Sequence, residues 1–404
     1  MQTTCCIVGG GPAGIMLGLL LARAGVEVVV LEKHADFLRD FRGDTIHPST
    51  LQVLEEIGLK AAFEALPHQV VRQLGLTING EYQNFVDFRS LKPYDYMAMA
   101  PQWDLLNMLA NEARQAEGFT LRMQHEAVGL TREGELVTGV EVDSPDGRYT
   151  LEAKLVVGCD GRSSILRAQT DLPLVEFGAP MDALWFRLPR QPSQADDTFA
   201  TLGQGHMLVL LNRDSYWQAA YVVPKGADAR LRTEPVTELH RRLVELLPRL
   251  EDAAAAITSW DDVKTLNVQV NRLTRWYQPG LLLIGDAAHA MSPIGGVGIN
   301  LAIQDAVATA NELAATLAAG KRPETSQLQA IQQRRMLPTR LTQAVQRALQ
   351  RRVIARTLDE DAPPVQLPAL LRWLLQFQWF RRIPARLIGY GFRPEHVRLP
   401  VSPP

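Results

Sequence analysis

Six residues near the start of the chain have a spacing with chemical meaning. Gly9-Gly10-Gly11-Pro12-Ala13-Gly14 fits the pattern G-x-G-x-x-G. Gly9 permits a tight turn, Gly11 lets backbone approach a pyrophosphate, and Gly14 lets a helix pack close to a strand. Pro12 and Ala13 would open that helix, where a missing N–H costs nothing. The helix start offers unpaired N–H groups and the positive end of its dipole to phosphates. Glu32 lies 18 positions after Gly14, with Lys33 beside it. A carboxylate at that distance hydrogen-bonds a ribose hydroxyl, and it suits a ribose without a 2′-phosphate, hence NAD or FAD.

Two later segments carry comparable content. Leu155-Val156-Val157-Gly158-Cys159-Asp160-Gly161-Arg162-Ser163-Ser164 reads as a strand, an Asp-Gly turn and a helix start, with Arg167 following. Alone it would be an ordinary turn. Leu281 to Ile284 reads as a buried strand that delivers Gly285 and Asp286, with His289 close behind. Pro293-Ile294-Gly295-Gly296-Val297-Gly298-Ile299-Asn300 is then a glycine-rich loop, and a helix is predicted from about Gly298 to Ala318, with Asp305 inside it.

With these residues the chain resembles the single-component FAD-dependent aromatic hydroxylases, the p-hydroxybenzoate hydroxylase-like family, over roughly residues 1–345. The resemblance implies FAD as cofactor and NAD(P)H as reductant. It implies that Asp160 and Gly161 serve both nucleotides, and that Gly285 and Asp286 hold the ribityl chain. Pro293, Gly296, Val297, Gly298, Ile299 and Asn300 would lie against the isoalloxazine ring, where backbone N–H groups can stabilise charge on reduced flavin. Arg42 and Gln102 stand where the family often contacts FAD. Read as residues alone, Arg42 suits a surface ion pair and Gln102 a helix start. The implied chemistry is oxygen addition at flavin C4a, and transfer of the distal oxygen of that hydroperoxide to an electron-rich aromatic carbon inside a water-excluding pocket. With a single dinucleotide fingerprint, NAD(P)H would bind transiently at the surface.

His47, Pro293 and Tyr216 are the candidates for catalysis. His47 could hydrogen-bond a phenol or act as a base, since imidazole titrates near neutrality. Its plainer reading is a helix-entry residue ahead of Pro48, just as His289 suits a structural hydrogen bond.

These residues need a scaffold. The alternation of short apolar strands with helices predicts an α/β fold (α+β overall). A Rossmann-like FAD-binding domain would occupy 1–73, 98–176 and 267–345, a substrate β-sheet 74–97 and 177–266, and a helical tail 346–404. Hairpins are predicted at Met207–Val223 and across Asn79-Gly80. Tyr94, Tyr96, Trp185, Phe186, Tyr216, Trp217 and Tyr221 are candidates to wall a pocket, or simply to pack.

Composition bounds the rest. The chain has 404 residues, 46% hydrophobic and 21% charged, with net charge -2. That excludes disorder and offers no global basic field for nucleic acid. Three cysteines, two of them adjacent, suit a reducing cytoplasm rather than a disulfide framework. The apolar run Ala13–Ala22 is too short to span a membrane, and no basic residue precedes it as in a signal peptide. Lys321–Arg356 holds nine Lys/Arg and one acid. It reads as a solvated face of a long helix, or as a surface for the NAD(P)H phosphates, a membrane or a partner. Gln366–Phe380, rich in Leu, Trp and Phe between arginines, is expected to pack on the body or at a dimer contact, with peripheral membrane contact as the alternative. The expected partners are dioxygen and an aromatic or N-heteroaromatic, quinone-like small molecule, for a monomer or homodimer. No metal site is expected. A reductase or halogenase of the same fold is the alternative. The halogenase segment Trp-x-Trp-x-Ile-Pro is absent, since Trp373 and Trp379 are spaced differently.

Overall fold

A computed structural model describes residues 1–38, 45–190, 200–213 and 215–399. The strand Gln2–Val8 is apolar on both faces, with Cys5, Cys6 and Ile7 fully buried, as a parallel strand between helical layers must be. It is central in a sheet ordered Tyr277–Gln278, Leu281–Leu283, Tyr149–Gly158, Gln2–Val8, Val28–Glu32, Phe119–Met123. From Leu281–Leu283 to Phe119–Met123 every pairing is parallel. An antiparallel meander, Glu126–Glu133 and Leu136–Asp143, joins through Tyr149–Gly158.

The register of this sheet places the motifs. Val8 pairs with Gly158 and Leu31, and Gly158 pairs with Leu283. Three strands distant in sequence therefore end at one level. Their following residues, Gly9, Cys159 and Ile284, leave the same carboxyl edge, which is where open α/β sheets bind ligands. The helix Pro12–Arg23 is buried from Ala13 to Ala22 on every side and packs on the helices Gly298–Ala318 and Gln102–Ala113. The predicted helix Gly298–Ala318 has those bounds in the structure.

A second sheet is ordered Lys264–Leu266, Met181–Pro189, Tyr216–Pro224, His206–Asn212, Ala200–Gly203, Gln73–Ile78, Glu81–Asp87. Both expected hairpins are present. Asn79 and Gly80 have φ of 50° and 85°, the left-handed pair that a tight two-residue hairpin turn requires. Alternation sorts the side chains by face. Leu184, Phe186, Leu208, Leu210, Trp217, Ala219 and Tyr221 pack with Leu239 and Leu243 of the helix Val236–Leu246. Leu74, Val86, Trp185, Val209 and Leu211 face the other way, toward Met97, Met99, Ala385 and Tyr390. Phe186, Trp217 and Tyr221 therefore belong to the helix-backed core and not to a pocket wall.

The C-terminal region departs from expectation in two ways. Arg335, counted in the basic stretch, is fully buried in the helix Thr325–Leu349, whose outer side exposes Leu337, Leu341, Val345 and Leu349. The tail helix Gln378–Gly389 buries Ala385 and Gly389, and Leu375 is buried just after the helix Ala369–Leu374, but Leu370, Trp373, Phe377, Trp379 and Ile383 are exposed. Beyond Gly389 the chain runs as a strap over the first body. Tyr94 N donates to Tyr390 Oη at 3.1 Å, Asn311 Nδ2 to the His396 carbonyl at 2.8 Å, and Val397 N to Glu56 at 2.8 Å.

Candidate active site

The glycine motif is built by close approach. Gly9 has φ of 107°, and a Cβ there would stand 2.4 Å from the Cys159 carbonyl oxygen. A Cβ on Gly14 would stand 2.0 Å from the Gly9 oxygen. Both contacts are with backbone, which cannot swing away. Gly11 is different: its Cβ would meet nothing within 4 Å, and the helix it caps has no side-chain cap. The space in front of that helix start has the chemistry of an anion seat. At its edge the Glu32 carboxylate is buried and oriented by the N–H groups of Gly10 (2.9 Å) and His34 (3.0 Å). Lys33 points away and pairs with Glu126 at 3.8 Å in solvent.

The second and third motifs are tied together. Arg162 Nε donates to Asp286 Oδ2 at 3.1 Å, and Arg167 Nη1 donates to the Ala287 carbonyl at 2.9 Å. Asp160 Oδ2 accepts from Leu166 N at 3.2 Å, while its Oδ1 is buried without a partner. Burial holds this carboxyl above its ordinary value. Gly161, with φ of 83°, opens onto free space. An unpartnered oxygen, two open glycines and a half-buried carboxylate fit a ligand rich in hydroxyls and phosphates, and FAD meets that description.

Behind Gly285 lies a buried charge network. Asp305 Oδ2 accepts from Gly285 N at 3.1 Å and lies 2.6 Å from His289 Nε2. Its Oδ1 accepts from Arg335 Nε at 2.8 Å, and Arg335 Nη1 reaches Glu395 at 3.2 Å. His289 thus has the structural role. The long helix of Arg335 presents Gln343 and Gln346, and Gln350 follows in the wider turn that continues it. Gln343 donates to the Asn271 and Ala290 carbonyls, Gln346 to those of Ser292 and Ile294, and Gln350 to the Ser292 hydroxyl. An irregular buried backbone needs such partners. The spacing of three and four puts these glutamines on one helix face. That signal is present in the sequence but was masked by the neighbouring arginines.

The ring loop is fixed from its other side. Pro293 precedes a short 3-10 turn, Ile294–Gly296, in which Gly295 and Gly296 have φ of 78° and 62°. A Cβ on Gly296 would stand 2.0 Å from Thr45 Oγ1, and that hydroxyl donates to the Gly296 carbonyl at 2.8 Å. Asn300 Oδ1 accepts from His47 N at 3.0 Å and from Thr50 Oγ1 at 2.6 Å, while its Nδ2 donates to the Thr45 carbonyl at 3.2 Å. The Asn300 side chain is thus committed to its own chain. Val297 caps the helix that Gly298 and Ile299 begin, and a Cβ on Gly298 would enter open space.

His47 caps the helix Pro48–Glu56 and is fully buried. Its Nδ1 lies 2.5 Å from the Ile388 carbonyl, and its Nε2 is buried without a partner. Burial lowers its pKa to about 4, so the ring is neutral. Two backbone carbonyls, of Ile388 and Gly295, flank the neutral imidazole, and both favour its N–H groups. Tyr216 is not brought to this place. It shares the sheet face of Trp185, under Arg187 at 5.1 Å. Ile294 instead packs by Val222 at the other end of the strand, about 20 Å away at the usual rise per residue. Gln102 opens its helix, half-buried. Arg42 lies outside the described residues.

Comparison with known proteins gives this arrangement a family. The FAD binding domain family matches residues 2–345. The 6-methylpretetramide 4-monooxygenase of Streptomyces rimosus is 32% identical over 380 residues, covering 88% of this chain and 90% of that protein. Para-nitrophenol 4-monooxygenase of a Pseudomonas species is 25% identical over 354 residues, covering 82% of each. The crystal structure of p-nitrophenol 4-monooxygenase from Pseudomonas putida has the same fold, with a TM-score of 0.77 over 97% of this chain and 99% of that one, at 22% identity. A match over most of the chain, to a fold whose glycines and carboxylates converge on one sheet edge, makes this protein a member of the FAD binding domain family and an FAD-dependent aromatic monooxygenase.

Proposed function

We propose that the protein uses NAD(P)H to reduce its FAD and then hydroxylates an aromatic or N-heteroaromatic, quinone-like small molecule. The observation that carries this reading is the common level of Val8, Gly158 and Leu283, which gathers three cofactor motifs beside one glycine loop. The names of two relatives specify 6-methylpretetramide and para-nitrophenol, which favours oxygenation over the reductase or halogenase alternatives.

In this reading residues 1–73, 98–176 and 267–345 hold the cofactor, and 74–97 with 177–266 cover the substrate. Gly9, Gly11, Pro12, Ala13 and Gly14 seat the pyrophosphate, Glu32 holds a ribose, and Asp160, Gly161, Gly285 and Asp286 hold the ribityl region. The backbone from Pro293 to Asn300 meets the ring. Bound FAD supplies electron transfer and dioxygen activation. Leu74, Val86, Trp185, Val209 and Leu211 exclude water on the facing sheet. Neutral His47, held beside the Gly295 carbonyl of the glycine loop, is the candidate to meet a phenolic substrate. Three free thiols are consistent with a reducing cytoplasm.

Anaerobic mixing with NADH or NADPH should bleach the flavin's visible band, and turnover in isotopically labelled dioxygen should place the label in an aromatic product. Reduction without label in any product sinks the hydroxylase reading and leaves the reductase.

A further inference from the structure

The tail helix Gln378–Gly389 is amphipathic in an inverted sense. Its inner side carries Ala385 and Gly389, packed so closely that a Cβ on Gly389 would stand 3.0 Å from Pro48 Cγ. Its outer side carries Trp379, Arg382, Ile383 and Arg386, one helical turn apart. Trp379 is 60% exposed and Ile383 52%. The preceding helix Ala369–Leu374 adds Leu370 at 67% and Trp373 at 54%. The rings of Trp373, Phe377, Trp379 and Phe380 form a run with centroids 4.9 to 6.4 Å apart. An isolated exposed leucine is ordinary, but a contiguous aromatic and aliphatic patch marks an interaction surface.

The charge carried by the tail segment itself has one sign. Residues 366–394 contain Arg372, Arg381, Arg382, Arg386 and Arg393 and no Asp or Glu. A groove of about 500 Å³ separates Arg372, Trp373 and Arg381 from Glu81, Gln83 and Asn84 on the hairpin. Within it Arg381 Nε is buried with no hydrogen-bond partner, although another nitrogen of that guanidinium lies 3.7 Å from Asp87. Glu81 is the acid on the facing wall. Indole rings, aliphatic side chains and arginines on one helix face suit the boundary between headgroups and acyl chains, where the rings insert and the arginines meet phosphates. Among the described residues no helix is long and apolar enough to cross a membrane, so the contact would lie in the interface.

We infer that the outer face of Ala369–Leu374 and Gln378–Gly389 docks on an anionic phospholipid surface, with the Arg372–Arg381 groove taking a headgroup phosphate. The helix that rests on lipid carries Ile388 in its last turn, and the Ile388 carbonyl holds His47. Docking would thus bring a membrane-dissolved substrate close to the site. The surface stands independently of the hydroxylase reading.

The test uses purified holoenzyme in flotation with vesicles of phosphatidylcholine and phosphatidylglycerol, against vesicles of phosphatidylcholine alone. Wild type should float with the anionic vesicles at low ionic strength and show a blue-shifted tryptophan emission. Trp373→Ser/Trp379→Ser/Ile383→Ser and Arg372→Gln/Arg382→Gln/Arg386→Gln should each weaken binding on the order of tenfold or more, with FAD content unchanged. Failure of wild type to float, equal flotation of the variants, or a dimer abolished by the tryptophan changes in a protein that binds no vesicle would each overturn the inference.

Discussion

Arg335 Nε donates to Asp305 Oδ1 at 2.8 Å with both side chains fully excluded from solvent. A buried pair gains little over a well-packed apolar pair, but removing one partner strands the other. Arg335→Met should therefore cost about 3 kcal/mol of unfolding free energy, because it strips Asp305 Oδ1 of its cation, while Glu395 keeps Arg334 at 2.7 Å and Asp305 Oδ2 keeps His289 at 2.6 Å. Urea unfolding of the holoprotein measures this. Adding Glu395→Gln should recover part of the loss, whereas a single variant as stable as wild type would show the network to be dispensable.

The same carboxylate gives a pH dependence. Burial alone would raise Asp305, but His289 and Arg335 outweigh it and hold the carboxyl below its ordinary value. A depressed carboxylate stabilises the fold above its unfolded pKa, and that contribution fades as pH falls through the folded value. Acid unfolding below about pH 4 should be less steep in Asp305→Asn than in wild type when followed by circular dichroism.

His47 has the opposite charge and the same direction of change. Its folded pKa is about 4 against an ordinary 6.5, so between these values the unfolded chain binds the proton. Stability is then full above pH 6.5 and falls toward pH 4, by about 3 kcal/mol in all. His47→Asn should flatten stability across that window. A pH–rate profile with a limb near 6.5 would have to come from another group.

Asp286→Ala should weaken FAD retention by about 1.5–3 kcal/mol, the worth of hydrogen bonds to a charged acceptor. Flavin fluorescence on dilution reads the dissociation constant directly. A variant that purifies with full flavin would remove Asp286 from the cradle.

Gly296→Ala combines a left-handed φ with a clash against Thr45 Oγ1. The ring loop must shift, and FAD affinity should fall by about 1–3 kcal/mol. Thr45→Ala relieves the clash but not the backbone strain. The double variant should therefore regain only part of the affinity, by the same fluorescence measurement.

Burial raises the Cys5 thiol to about 12 and pushes Cys6 and Cys159 up as well. Thiolate is the reactive form. A thiol reagent should modify neither Cys5 nor Cys6 in the native protein, where both are fully buried, and both after denaturation.

Local signals were legible in the sequence and distant ones were not. The bounds of Gly298–Ala318 and the turn at Asn79-Gly80 follow from residues within one element. The two faces of Tyr216–Pro224 follow from alternation, but the end of that strand nearest the ring loop does not, which is why Tyr216 was misplaced. Arg335 looked like one cation in a solvated run because Asp305 and Glu395, which bury it, are 30 and 60 positions away. The bond from His47 to Ile388 spans 341 positions, and no pattern within either segment announces it.

The common level of Val8, Gly158 and Leu283 also bears on how the molecule comes into being. Parallel pairings between segments so far apart close large loops, and such topologies are slow to assemble. The cradle does not exist in any partial product that lacks one of the three strands. In the proposed reading flavin capture would report completed assembly, and the free energy of holding the cofactor would add to that of the native state. An apoprotein prepared by stripping the flavin should unfold at lower temperature and refold no faster.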